Sequence, residues 1–226
     1  MILPIYLKNK HLFIELDGNL FLFDTGASHS FTETENISID SKKFQLPSSL
    51  PTPMGAFDAE MISKQVGVKC VGLLGMDVLG KFDHIIDIDK NQLTISENEL
   101  KYTGQEVKLS SFMGFTTINA NIANKEYKML FDTGAQISFF LDDSIVNFPF
   151  VEKFKDFNPL QGEFETDTYK VEVKLNEIVL QLICGSELPL FLSAGIQFLG
   201  ASGVIGNEML INRVVGFAPR RNVMYI

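Results

Sequence analysis

Apolar and polar positions alternate over short stretches of this chain, and long runs at helical spacing are absent. Alternation of this kind, bounded by turn formers, marks half-buried strands. The opening Met1-Ile2-Leu3-Pro4-Ile5-Tyr6-Leu7-Lys8 reads as a first strand. From His11 to Phe23 the pattern predicts two more, joined by Asp17-Gly18. An Asp-Gly between apolar runs is a strong hairpin signal.

The pattern then returns. Thr117 to Phe131 again reads as two short strands, here joined by Ala123-Asn124-Lys125. In both copies the second strand runs straight into the same four residues, Asp24-Thr25-Gly26-Ala27 and Asp132-Thr133-Gly134-Ala135. Each copy later carries a buried strand, a glycine and about one helical turn: Gly72-Leu73-Leu74-Gly75-Met76-Asp77-Val78-Leu79, then Gly203-Val204-Ile205-Gly206-Asn207-Glu208-Met209-Leu210. Closing strands follow, Ile85–Ile88 and Leu93–Ile95 in the first half, Val214–Phe217 and Val223–Ile226 in the second. Their turns, Asp89-Lys90-Asn91 and Pro219-Arg220-Arg221-Asn222, are polar, and the arginine pair reads as a solvated tip. An order of elements that occurs twice is an internal duplication. It predicts an all-β protein of two similar lobes, residues 1–100 and 101–226, related by a pseudo-two-fold and joined without a flexible linker.

Composition narrows the function classes. The 226 residues are 46% hydrophobic, with 20 Phe and no Trp, enough for a substantial core. A net charge of −9 argues against nucleic acid or an anionic membrane as the main partner. No run is long and apolar enough to span a bilayer. The start lacks the basic-then-apolar pattern of a secretory signal, so the expected location is cytoplasmic. Cys70 and Cys184 are too few for a disulfide framework and are expected to be buried small hydrophobes. His11, His29 and His84 do not cluster and are expected to be structural or solvated. Asp142-Asp143 and the Asp87/Asp89 pair lack the remaining ligands of a calcium loop, so no metal and no cofactor are expected.

The chemistry sits in the repeated loops. A lone carboxylate at the end of an apolar strand is costly to bury, and two in equivalent places imply that they meet. Two carboxyls in contact cannot both ionise, so they share one proton and titrate as a unit. The ionised member can take a proton from water while its partner donates to a carbonyl oxygen. Gly26 and Gly134 let each backbone pass beneath the opposing carboxyl. Thr25 and Thr133 offer hydroxyls to bind one loop to the other.

These two loops, each followed by the apolar-apolar-Gly element, resemble the pepsin-like and retropepsin-like aspartic peptidases, in the form of a fused retropepsin. The shared proton is the established behaviour of that family's acid pair. The resemblance implies acid-protease β-barrel lobes with the active site in the cleft between them. It also implies hydrolysis of a peptide or protein substrate by a monomer, with Asp24 and Asp132 as the catalytic dyad. Thr25, Gly26, Thr133 and Gly134 would support that dyad. The chain departs from the family in three places. Ala27 and Ala135 stand where pepsins usually carry Ser or Thr three positions after each Asp, which should leave the dyad less acidic and its pH optimum less acidic than a pepsin's. Met76-Asp77 and Asn207-Glu208 stand where retroviral enzymes carry Arg-Asp. No Tyr occurs between Tyr6 and Tyr102 to serve a first-lobe flap. The longer insert of the second half, near Pro159-Leu160-Gln161-Gly162, is the expected flap, with Gln161 and Gly162 as substrate-binding residues. The first lobe has only a short substitute around Pro53-Met54-Gly55-Ala56-Phe57. The alternative reading is a peptide- or protein-binding module on the same fold that has lost turnover.

Overall fold

The computed structural model describes residues 1–52, 55–158 and 162–226. Its first half runs β1 (Ile2–Lys8), β2 (His11–Leu16), β3 (Asn19–Phe23), β4 (Phe31–Thr32), β5 (Ile37–Ile39), β6 (Lys42–Phe44), β7 (Ser49–Thr52) and β8 (Gly55–Asp58). Helix α1 (Ala59–Val66), β9 (Gly72–Leu74), the short α2 (Met76–Leu79), β10 (Asp83–Asp87) and β11 (Gln92–Ser96) complete it. The second half runs β12 (Glu106–Phe112), β13 (Phe115–Ile122), β14 (Lys125–Phe131), β15 (Ser138–Phe140), β16 (Phe150–Asn158), β17 (Gly162–Leu175) and β18 (Ile178–Gly185). Helix α3 (Leu190–Phe198), β19 (Gly203–Ile205), a 3₁₀ turn at Asn207–Leu210, β20 (Val214–Ala218) and β21 (Val223–Tyr225) end the chain.

The predicted hairpins form where the turn residues allow. Asp17-Gly18 and Ala123-Asn124 both adopt positive φ at their two central positions, as a two-residue hairpin turn requires. Lys125 belongs to β14 rather than to the turn. The following strand of each copy is held by the apolar-apolar-Gly element. β9 lies between β3, to which it is parallel, and β4, to which it is antiparallel. β19 lies in the same way between β14 and β15.

The two lobes share a sheet. Its antiparallel order is β1–β11–β10–β20–β21–β12, with β10 and β20 meeting at the centre in the register His84↔Phe217 to Asp87↔Val214. The largest core cluster is continuous across this seam and includes Phe23, Ile86, Phe131 and Phe217. Two smaller clusters, one per lobe, sit around Phe31 and Leu73 and around Phe139 and Val204.

Two features differ from the sequence reading. Helices α1 and α3 occupy stretches that carry no long amphipathic period. The Asp58 side chain caps α1 by accepting from Met61 N (2.9 Å), and Gly67 ends it in the left-handed region. The arginine pair is no solvated tip. Arg220 donates to Asp83 Oδ1 (2.8 Å), Arg221 donates to Oδ2, and Asp83 is fully buried at the seam. Burial alone would raise the Asp83 carboxyl, but the hydrogen bonds from Arg220, Leu100 N–H and Arg221 outweigh it and hold it below its ordinary value. Cys70 and Cys184 are free and buried. No helix among the described residues is long and apolar enough to cross a membrane.

Candidate functional site: an acid pair under an apolar cleft

The two Asp-Thr-Gly-Ala loops meet at the top of the seam. Each is fixed from below by its neighbouring strand: Asp24 N donates to Leu74 O and Asp132 N to Ile205 O, both at 3.0 Å. Each is fixed from the far side by a reciprocal grip. Thr25 N donates to Thr133 Oγ1 and Thr133 N to Thr25 Oγ1, both at 3.0 Å. The hydroxyls in turn donate across the seam, Thr25 Oγ1 to Phe131 O (3.0 Å) and Thr133 Oγ1 to Phe23 O (2.8 Å). Both threonines are completely buried, so these four bonds form without competition from water.

The grip brings the carboxyls of Asp24 and Asp132 into hydrogen-bonding contact. Gly26 and Gly134 make that approach possible. A Cβ on Gly26 would lie 2.2 Å from Asp132 Cγ, and one on Gly134 would lie 2.7 Å from Asp24 Cγ. Within each loop the carboxyl also accepts from its own backbone: Asp24 Oδ1 from Gly26 N (2.8 Å) and Ala27 N (3.0 Å), Asp132 Oδ1 from Gly134 N (2.8 Å) and Ala135 N (3.3 Å).

Each carboxyl opens on one side to the cleft but otherwise lies deep beneath both lobes. Burial raises Asp24 well above the usual carboxyl range, and the neighbouring Asp132 charge raises it further, against the pull of the Gly26 and Ala27 amides. Asp132 is raised too, chiefly by burial, while the Gly134 amide and the Asp24 hydrogen bond pull it down. The two titrate together, and the pair keeps a proton after an isolated carboxyl would have lost it.

The cleft above the pair has a volume of about 530 Å³. Its walls are mostly apolar, with Leu22, Leu73, Leu130, Phe139 and Val204 close to the floor. Both flap-like hairpins reach it: β7–β8 through Leu50 and Phe57, β16–β17 through Asp156 and Phe164. The longer hairpin belongs to the second lobe. Of the expected substrate residues, Gly162 begins β17 at φ +83°, whereas Gln161 lies outside the described residues, as do Pro53, Met54, Pro159 and Leu160.

The histidines divide. His84 is fully buried, its Nδ1 donates to Phe217 O (3.2 Å), and its imidazole is lowered to about 4 by desolvation. His29 is exposed. His11, expected to be structural or solvated, lines the cleft, and its Nε2 lies 2.8 Å from the Gln136 amide nitrogen of the other lobe. Burial lowers its imidazole below the usual value. Sequence reasoning missed this pair because its members stand in different copies of the repeat. The place left by the retroviral Arg-Asp is filled differently in each lobe. Asp77 accepts from Ser30 Oγ, Glu208 accepts from the amides of Ser138 (3.2 Å) and Ile183 (3.1 Å), and Asn207 donates to Thr133 O (3.2 Å) and Lys10 O (2.9 Å). Among the described residues, no cluster of three or more His, Cys, Asp or Glu is placed to hold a metal.

No protein-family model matches this chain, and no curated protein matches it. Solved structures do. Basic 7S globulin from soybean superposes at a TM-score of 0.52 with 10% identity, over 99% of this chain and 93% of that one. Conglutin gamma, a basic 7S globulin from lupine seeds, gives 0.53 with 8% identity over the same shares. The fold is aspartic-protease-like, with two lobes. These similarities correct the sequence reading on its central point. These two solved structures are globulins rather than peptidases, so membership of the pepsin-like and retropepsin-like peptidases, and peptidase activity with it, is withdrawn.

Proposed function

We propose that this protein is a binding module that holds an extended peptide or protein segment in the cleft between its lobes without cutting it. The observation that carries the reading is the cleft itself, about 530 Å³ of mostly apolar wall above one proton-sharing acid pair. Apolar walls with a few convergent polar groups are what small ligand and peptide sites have in common. The similarity to globulins on the same fold favours binding over turnover. In a binding role the acid pair acts as a hydrogen-bonding device: its protonated member donates to a peptide carbonyl, and its ionised member accepts from an amide N–H. The hairpin strands at the rim offer backbone partners to an extended chain.

The test is a peptide library incubated with the protein from pH 3 to 8, with bound and free peptides identified by mass spectrometry. Intact peptides rich in apolar residues should be retained, and retention should weaken as the shared proton is lost at higher pH. Cleaved products that vanish in both Asp24→Asn and Asp132→Asn would overturn the binding-only reading.

A further inference from the structure

The second lobe departs from its duplicate on one face. The β1–β2 and β12–β13 tips are the same turn: Lys8 pairs with His11 as Phe112 pairs with Phe115. Both central residues of each turn have positive φ, +48° and +61° at Asn9 and Lys10, +51° and +82° at Met113 and Gly114. Phe112-Met113-Gly114-Phe115 therefore stands where the first lobe has Lys8-Asn9-Lys10-His11. The helices correspond as well, α1 preceding β9 and α3 preceding β19.

In the first lobe this face is polar. Asn9 Nδ2 donates to Val66 O (3.0 Å) and Gly67 O (3.3 Å) at the end of α1, whose exposed side carries Glu60 and Lys64. In the second lobe the corresponding contact is between the Phe112 and Phe198 rings, 6.4 Å apart. No charged residue occurs between Glu187 and Glu208. Within α3 only Ile196 is buried, while Leu190 is 83% exposed, Phe198 70% and, on the adjoining tip, Met113 65%. The first lobe demonstrates that the fold itself does not call for an apolar surface here. Exposed apolar patches of this kind mark interaction sites.

The same substitutions make the two lobes' shares of the cleft lining unlike. The first lobe's tip and helix contribute His11, which contacts Gln136, and Gln65; the corresponding elements of the second contribute Met113, Phe191 and Phe198. Because Met113, Phe191 and Phe198 both line the cleft and reach solvent, the exposed face is continuous with it.

We propose that the face formed by Phe112, Met113 and the outer side of α3 docks the apolar end of the peptide held across the acid pair. The peptide is then accepted in one direction, with large apolar residues toward α3 and polar residues toward His11 and Gln136. The inference rests on the peptide-binding reading above. Phe112 and Leu190 adjoin Met113 and Phe191 in sequence and carry the exposed apolar surface beyond the lining. The net charge of −9 opposes the other occupants, a second copy of the chain or an anionic bilayer, by general repulsion.

The experiment uses two fluorescein-labelled peptides of identical composition, one with a Leu/Phe tract at its N-terminal end and Gln residues at the other, one with the order reversed. Anisotropy titrations compare the wild type with Phe112→Lys/Leu190→Glu, whose two positions lie outside the cleft lining and one of which restores the first lobe's residue type. The wild type should bind one peptide at least ten-fold tighter. The double variant should lose most of that preference while binding the weaker peptide within two-fold of wild type. Equal binding of both peptides to the wild type, or a preference the variant leaves untouched, would overturn the inference while leaving peptide binding intact. Binding of neither peptide would overturn both readings. A wild-type dimer in sedimentation, or flotation with phosphatidylcholine vesicles, that the variant abolishes would assign the face to another occupant and overturn the inference as well.

Discussion

Thr133→Val tests whether the grip between the loops holds the lobes in register. The hydroxyl it removes makes two bonds, accepting from Thr25 N (3.0 Å) and donating to Phe23 O (2.8 Å), and neither backbone group has solvent at hand because Thr25, Phe23 and Thr133 are all fully buried. A buried backbone group left without a partner costs about 1–3 kcal/mol, so two of them cost about 2–6 kcal/mol. That is a large share of the ~5–15 kcal/mol by which a folded protein exceeds its unfolded chain. Urea denaturation followed by circular dichroism measures it. With a slope of ~3 kcal/mol per molar urea, a loss of ~4 kcal/mol lowers the midpoint by roughly 1.3 M at unchanged slope. Thr117→Val is the control, because its hydroxyl makes one longer bond, to Ser110 O at 3.3 Å within a hairpin. It should cost ~1 kcal/mol. If Thr133→Val moved the midpoint no further than Thr117→Val, the reciprocal bonds would not be what holds the loops together.

Other outcomes follow from buried charge and close approach. Asp83→Asn should destabilise the protein by about 3–5 kcal/mol, because it leaves Arg220 and Arg221 without their buried partner, and differential scanning calorimetry would measure it. His84 is lowered to about 4 from an ordinary 6.5, so the unfolded chain binds a proton there that the folded one refuses. Its contribution is full above pH 6.5 and falls by about 3 kcal/mol as pH drops to 4; His84→Gln should remove that fall, and a urea midpoint that changes between pH 6.5 and 4.5 by the same amount in variant and wild type would refute the assignment to this ring. The acid pair has the opposite sign. Its raised carboxyls stay protonated in the folded state, so stability declines as pH rises from the ordinary carboxyl value through the raised one, and Asp24→Asn should flatten that decline. Gly134→Ala should push Asp24 away from Asp132, and carboxyl titration by NMR should then show two independent groups instead of a coupled pair.

The fold was legible where its cause is local. Alternation and two-residue turns set the hairpins, and the doubled Asp-Thr-Gly-Ala and apolar-apolar-Gly elements revealed the two lobes, because a repeat exposes a long-range arrangement through short-range matches. Helix α3 escaped since it is apolar on nearly every side and so has no period to detect, although Asp58 and Gly67 bracket α1 as readable caps. The Arg220–Arg221–Asp83 cluster and the His11–Gln136 contact escaped for another reason. Their partners are more than 120 residues apart, and no motif joins them. The acid pair was placed from the loops alone. What the loops did not contain was the chemistry of the walls, where Met113 and Phe115 stand in the places of Asn9 and His11 of the other copy.

The central pairing of β10 with β20 has a practical side. Severed within residues 101–105, each fragment would present a bare backbone edge at its middle, with unpaired amides and carbonyls from His84 to Asp87 or from Val214 to Phe217. Such fragments should be poorly behaved alone and should reassemble when mixed, which makes this chain a natural candidate for a split reporter.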